Sequence, residues 1–118
     1  MIEYKLGEVE MKFADIIWEN EPLSSGQLVK LCEEKLQWKK STTYTILRRV
    51  CERGLFRNEE GIVSSNVTKK EFLFNKSEQF VEETFQGSLP SFIVAFTSNR
   101  KLSDEEVEEL KKIIERSQ

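Results

Sequence analysis

The sequence predicts a mainly α-helical fold with one small β-hairpin. Three observations predict it. Apolar residues recur at helical spacing along most of the chain. Two segments open with Ser followed three residues later by Gln or Glu, the capping-box signature of a helix start. Only the stretch from Leu55 to Val67 combines strand-forming residues with a turn, Asn58-Glu-Glu-Gly61.

The first helix is expected from Glu8 to Glu19. Val9, Phe13, Ile16 and Ile17 make one apolar stripe, widened by Met11, Ala14 and Trp18. Gly7 serves as its N-cap with Glu10 three residues on, and Pro22 disfavours helical geometry at the residue before it. Ser24 and Gln27 start the second helix, with Leu23 and Leu28 placed as a hydrophobic staple. That helix ends near Lys35 and buries Leu28, Leu31, Cys32 and Leu36. The third helix begins near Lys40 or Ser41 and stops at Gly54, a residue suited to left-handed termination. Ile46, Leu47, Val50 and Cys51 form its apolar face. Ser41, Tyr44, Thr45 and Arg48 share the opposite face at i, i+3, i+4 and i+7, beside Thr42.

Leu55, Phe56 and Arg57 read as a first strand, and Val63, Ser65 and Val67 as its return. Three helices followed by a hairpin is the winged helix-turn-helix order. Beyond it, helices are expected from Lys70 to Phe85, as a short, fully buried piece from Ser91 to Phe96, and from Ser103 onward. The last opens with Ser103 and Glu106 and a Leu102–Val107 staple, and carries Val107, Leu110, Ile113 and Ile114 on one face. The expected division is a winged helix-turn-helix domain over residues 1–68 and a helical dimerisation region over 69–118.

Charge sharpens the functional reading. Residues 35–58 hold seven Lys/Arg and one Glu, a balance of +6, in a chain whose net charge is −3. A basic island between acidic flanks points to a polyanion, and nucleic acid is the commonest such partner; on the winged helix-turn-helix order the expected partner is double-stranded operator DNA. Lys39 and Lys40 are placed to neutralise phosphates. Thr42 and Thr45 suit base edges or a thymine methyl, Tyr44 a sugar or phosphate, and Arg48 a guanine or a phosphate. Ser24, Ser25 and Ser41 supply further contacts to the DNA backbone, and Gly61 in the wing is counted with the DNA-binding residues. Arg49 and Arg53 suit DNA or intramolecular pairs with nearby acids equally.

The chain has 38% hydrophobic and 33% charged residues, so its core is modest and pairing with a second copy is expected. The expected subunit contacts are Phe80, Phe85, Leu89, Phe92, Ile93, Phe96, Val107, Leu110 and Ile114. No apolar run exceeds the five residues Phe92–Phe96, so no membrane insertion is expected. The polar start of the chain lacks a secretion signal's apolar stretch, and a cytoplasmic location is the expectation. There is no histidine, which removes Ser-His-Asp and Cys-His catalysis and Cys₂His₂ zinc sites. No enzyme activity, cofactor or metal is expected. Cys32 and Cys51 read as small core residues.

The chain resembles the penicillinase-repressor and copper-transport-repressor family of bacterial winged-helix regulators. The resemblance rests on Leu6-Gly-Glu-Val-Glu10 leading to Ile16-Ile-Trp18, on Trp38 before Thr42 and Thr45, and on Leu47-Arg-Arg-Val with Gly54-Leu55. It extends to Leu89–Phe96 and Leu102–Leu110. It implies a dimeric repressor that holds operator DNA through its N-terminal winged helix. It also implies a sensor protease in some members, whose matching stretch here is Ala95-Phe96, with Ala95 where asparagine is expected. The tail has no cysteine, unlike the copper-responsive branch. The wing departs from the family's Gly-Arg and alternating aromatics, carrying Gly61-Ile62, Ser64 and Asn66 instead. Two other readings stay open: a winged-helix protein-interaction module that does not read DNA, and a regulator switched through Cys32 and Cys51.

Overall fold

A computed structural model describes residues 1–118. Its elements are α1 (Glu8–Asn20), β1 (Leu23–Ser24), α2 (Ser25–Leu36), α3 (Lys40–Glu52), β2 (Phe56–Glu59), β3 (Ile62–Ser65), α4 (Lys69–Phe85), α5 (Leu89–Thr97) and α6 (Asp104–Arg116). Two compact units divide the chain, Met1–Ser77 and Glu78–Gln118. The division falls inside α4, whereas the sequence places it at that helix's start.

The capping boxes form as their spacing requires. In α2, Ser24 Oγ accepts from Gln27 N–H at 3.1 Å and Gln27 Oε1 accepts from Ser24 N–H at 2.9 Å. The same reciprocal pair joins Ser103 and Glu106 at 3.0 and 3.1 Å. Gly7 supplies only half a box: its N–H donates to Glu10 Oε1 at 2.9 Å, and it has no side-chain oxygen to give back.

The core of the first unit gathers Phe13, Ile17, Leu28, Cys32, Leu47, Val50, Leu55, Phe56, Val63 and Phe72. Trp18 packs against both Phe56 and Phe72, at centroid distances of 5.3 and 5.8 Å, and its indole N–H donates to the Val67 carbonyl at 3.0 Å. Trp38 stacks on Phe13 at 5.5 Å and so anchors the turn before α3. Gly54 has φ +80°, and a Cβ there would lie 3.3 Å from Ile2 Cγ1. The glycine thus ends α3 and leaves room for the N-terminal strap, whose Glu3 N–H donates to Arg53 O at 2.8 Å.

Three expectations need correcting. The sheet has three antiparallel strands in the order β1-β3-β2, because Leu23 and Ser24 pair with Val63 and Ile62 before the chain enters α2. The hairpin is shorter than expected at both ends, since Leu55 and Val67 are buried but lie outside the strands. The apolar run in α5 is not buried: Ile93, Val94 and Phe96 are 41%, 69% and 45% exposed. No residue of the second unit joins the buried core. Its phenylalanines pack on one another, Phe92 on Phe80, Phe85 and Phe96 at 5.8, 5.6 and 6.1 Å, yet much of the apolar surface of its helices stays exposed.

Candidate nucleic-acid interface

The helix-turn-helix is α2, a tight turn and α3. Gln37 closes α2 in the left-handed conformation at φ 56°, with its N–H on the Cys32 and Glu33 carbonyls. The chain re-enters helix at Lys40 after only three residues, so α3 crosses α2 instead of extending it.

α3 starts without a side-chain cap. Lys39 occupies the N-cap position and makes no capping bond. The first intrahelical bond runs from Thr43 N–H to Lys39 O at 3.1 Å, which leaves the N–H groups of Lys40, Ser41 and Thr42 without a backbone acceptor. Three outward amides at a helix N-terminus favour an anion.

The residues that the sequence singles out differ in exposure. Lys39, Lys40, Ser41, Thr42, Tyr44 and Arg48 are exposed, and Ser24, Ser25, Thr45 and Gly61 are half-buried. None of Lys39, Lys40 and Arg48 has a carboxylate partner. The Lys40 ammonium stands 6.0 Å from the Tyr44 ring centroid. The Tyr44 hydroxyl donates to Ser25 Oγ at 3.3 Å, bringing the α2 start and the α3 face together. Thr45 is more constrained than its position on the helix suggests. Its hydroxyl donates to the Ser41 carbonyl at 2.9 Å, so it faces outward as an acceptor with a methyl group.

Thr43, between these residues, points the other way. It is fully buried, and its hydroxyl oxygen has no hydrogen-bond partner. Burial raises the pKa of the Cys32 thiol, and the Thr43 hydroxyl lowers it to a lesser extent. Burial likewise raises the Cys51 thiol. Desolvation thus disfavours the thiolate at both positions, which argues against a thiol switch.

Arg53 and Arg57 are turned to structural use. Arg53 reaches Glu10 Oε1 at 2.8 Å and the Lys5 carbonyl at 3.1 Å. The guanidinium holds the Glu10 carboxyl below its ordinary value, with Arg49 adding a smaller effect. Arg57 bonds Ser65 O and Asn66 Oδ1 at 2.9 and 2.8 Å, and lies 3.6 Å from Glu59. Arg49 is exposed and unpaired, and its i+7 spacing from Thr42 was the signal that would have added it to the basic face.

The wing tip is a two-residue loop, Glu60-Gly61, with φ of 52° and 83°. Both angles are positive, as a type I′ hairpin demands. Ser25 N–H donates to the Gly61 carbonyl at 2.8 Å and ties the tip to the start of α2. The neighbouring Glu59 and Glu60 side chains are exposed.

Comparison with known proteins agrees with this architecture. The family model described as penicillinase repressor matches residues 6–116. The penicillinase repressor of Bacillus licheniformis is 26% identical over 115 residues, covering 94% of this chain and 90% of the relative. The methicillin resistance regulatory protein MecI of Staphylococcus aureus (strain Mu50 / ATCC 700699) is 24% identical and covers 94% of each chain. The solution structure of the DNA binding domain of the repressor BlaI superposes with a TM-score of 0.54 at 18% identity. It covers 60% of this chain and 93% of that domain, and it supports the winged-helix fold. The match across nearly the full length, joined to the helix-turn-helix and wing described above, shows that this chain belongs to the penicillinase repressor family.

Proposed function

We propose that this chain is a transcriptional repressor that binds operator DNA as a homodimer. The observation that carries the reading is the uncapped start of α3, where three free amides sit among unpaired cations and short hydroxyl side chains. Lys39, Lys40 and the α3 amides take phosphates, with Ser24, Ser25 and Ser41 as lesser backbone partners. Thr42 donates or accepts at a base edge. Thr45, its proton committed to Ser41, accepts from adenine or cytosine amino groups or lays its methyl against thymine. Arg48 takes guanine or a phosphate. Gly61 belongs to this surface as the positive-φ turn of the wing, tied to the start of α2 through its carbonyl.

The dimer reading rests on the second unit, which has no buried residue of its own. Phe80, Leu89, Ile93, Phe96, Leu110 and Ile114 are exposed there, and Phe85, Phe92 and Val107 are half-buried. A second copy covers these side chains and, with Val94 and Ile113 (69% and 48% exposed), completes a core. A sensor protease acting near Ala95-Phe96 fits the same reading. Both residues are exposed within α5, which must unwind locally before its backbone enters a protease cleft. No helix is long and apolar enough to cross a membrane, and a cytoplasmic location follows from the DNA partner.

Selection of bound fragments from a pool of random-sequence duplexes tests the proposal. Enrichment of a two-fold symmetric sequence, with half-sites about one helical turn apart or a multiple of it, is the expected result. Recovery of unenriched DNA, or of none, overturns it and favours a protein-interaction module.

A further inference from the structure

The wing of this chain is charged in the sense opposite to α3. Its arginine, Arg57, is occupied by Ser65, Asn66 and Glu59. Its tip exposes two carboxylates: Glu59, which lies 3.6 Å from Arg57, and Glu60, which has no ion-pair partner. The tip is not a loose appendage, because the Ser25 N–H holds the Gly61 carbonyl at 2.8 Å. The same serine's Oγ accepts from Tyr44 on the α3 face at 3.3 Å. The path from tip to recognition face is therefore two hydrogen bonds and one serine. Those bonds hold the backbone of the tip within about a Debye length, ~10 Å at 0.1 M salt, of the α3 face, a range over which charge carried at the tip is felt by whatever α3 binds.

We propose that Glu59 and Glu60, fixed beside the recognition face through Ser25, are affinity-determining residues that hold the wing off the phosphate backbone. This rests on the DNA-binding reading above. A phosphate brought to the tip meets the unpaired Glu60 carboxylate, a Glu59 carboxylate offset only in part by the exposed pair with Arg57, and an apolar Ile62 that is 48% exposed, with no donor side chain at the turn. Affinity for DNA of any sequence is thereby held down, and discrimination is left to the short side chains and Arg48 on α3. The turn geometry allows neutralisation without rebuilding the backbone, since glutamine in place of Glu60 keeps the same side-chain size at the same positive φ.

The test compares the full chain with the double variant E59Q/E60Q and with E78Q/E115Q, which removes two exposed carboxylates from the second unit. Binding is measured to the duplex selected by the wild type and to a scrambled duplex, over a series of salt concentrations. Thermal melts establish that each variant is folded. For E59Q/E60Q, affinity for both duplexes rises about three-fold or more at low salt, and the gain shrinks as salt is added. The charge-reversed Glu60→Lys variant steepens the salt slope by about one unit as a new phosphate contact forms. Three outcomes overturn the proposal: unchanged affinity, a gain indifferent to salt, or an equal gain in E78Q/E115Q. If Arg48→Ala loses binding while E59Q/E60Q matches the wild type, only the wing assignment fails. If the wild type binds no duplex, both readings fail.

Discussion

Tyr44 and Ser25 are joined by a hydrogen bond of 3.3 Å between their side-chain oxygens, across 19 residues of sequence. The bond fixes the phenol of the third helix against the first residue of the second. Tyr44→Phe removes it and keeps the ring. An exposed hydrogen bond of this kind contributes about 0.5–1.5 kcal/mol. Melting temperature is expected to fall by a few degrees, and operator affinity about two- to ten-fold as the phenol loses both its anchor and its donor, measured by calorimetry and fluorescence anisotropy. Unaltered affinity would remove Tyr44 from the interface.

Thr43→Val stabilises the fold. The Thr43 hydroxyl is buried without a hydrogen-bond partner, and valine has nearly the same shape without the desolvated oxygen. Relief of such a group amounts to about 1 kcal/mol. A denaturant midpoint that rises at constant slope is the expected observation. A lower midpoint would mean that the hydroxyl's contact with Cys32 matters more than its desolvation.

The ion pair of Glu10 with Arg53 makes stability depend on pH. The folded pKa of Glu10 lies below its ordinary value because Arg53 donates to the carboxylate. The contribution is therefore present above the unfolded pKa of about 4.3 and is lost as pH falls through the folded value. With side chains 25% and 16% exposed, the pair contributes about 1 kcal/mol. Urea unfolding at pH 7 and pH 3 tests this: Glu10→Gln is expected to lower stability at pH 7, with a smaller difference from the wild type at pH 3. A constant difference at both values contradicts it.

Ile93→Glu places a charge in the exposed apolar face of α5. Sedimentation is expected to shift from a species of two chains to one of a single chain, while the melting of the first unit is retained. A wild-type chain that sediments as a monomer at micromolar concentration contradicts the dimer reading.

The helices of the first unit were legible because their signals are local. The Ser24–Gln27 box, the Gly54 terminator and the apolar spacing of Phe13 and Ile17 each act within one or two turns. β1 was not legible. Two residues make no periodic pattern, and Leu23 reads equally well as a staple. Thr43 was passed over because neighbours at 42 and 45 share the outer face, while one residue's rotation of the helix turns it to the core. The α5 run was misread as buried since five apolar residues in a row state that a surface is to be covered, not which chain covers it. The acidic wing tip was present in the sequence as Glu59-Glu60. Its bearing on the recognition face became visible only when the Ser25–Gly61 bond placed it there.

On the DNA-binding proposal, the outer face of α3 reads base edges. Paired titrations of wild type and Arg48→Ala against the selected duplex and a scrambled one test it most directly. The expected result is a loss of ~1–3 kcal/mol on the selected duplex with a much smaller loss on the scrambled one. Equal losses on both, or none on either, would contradict it.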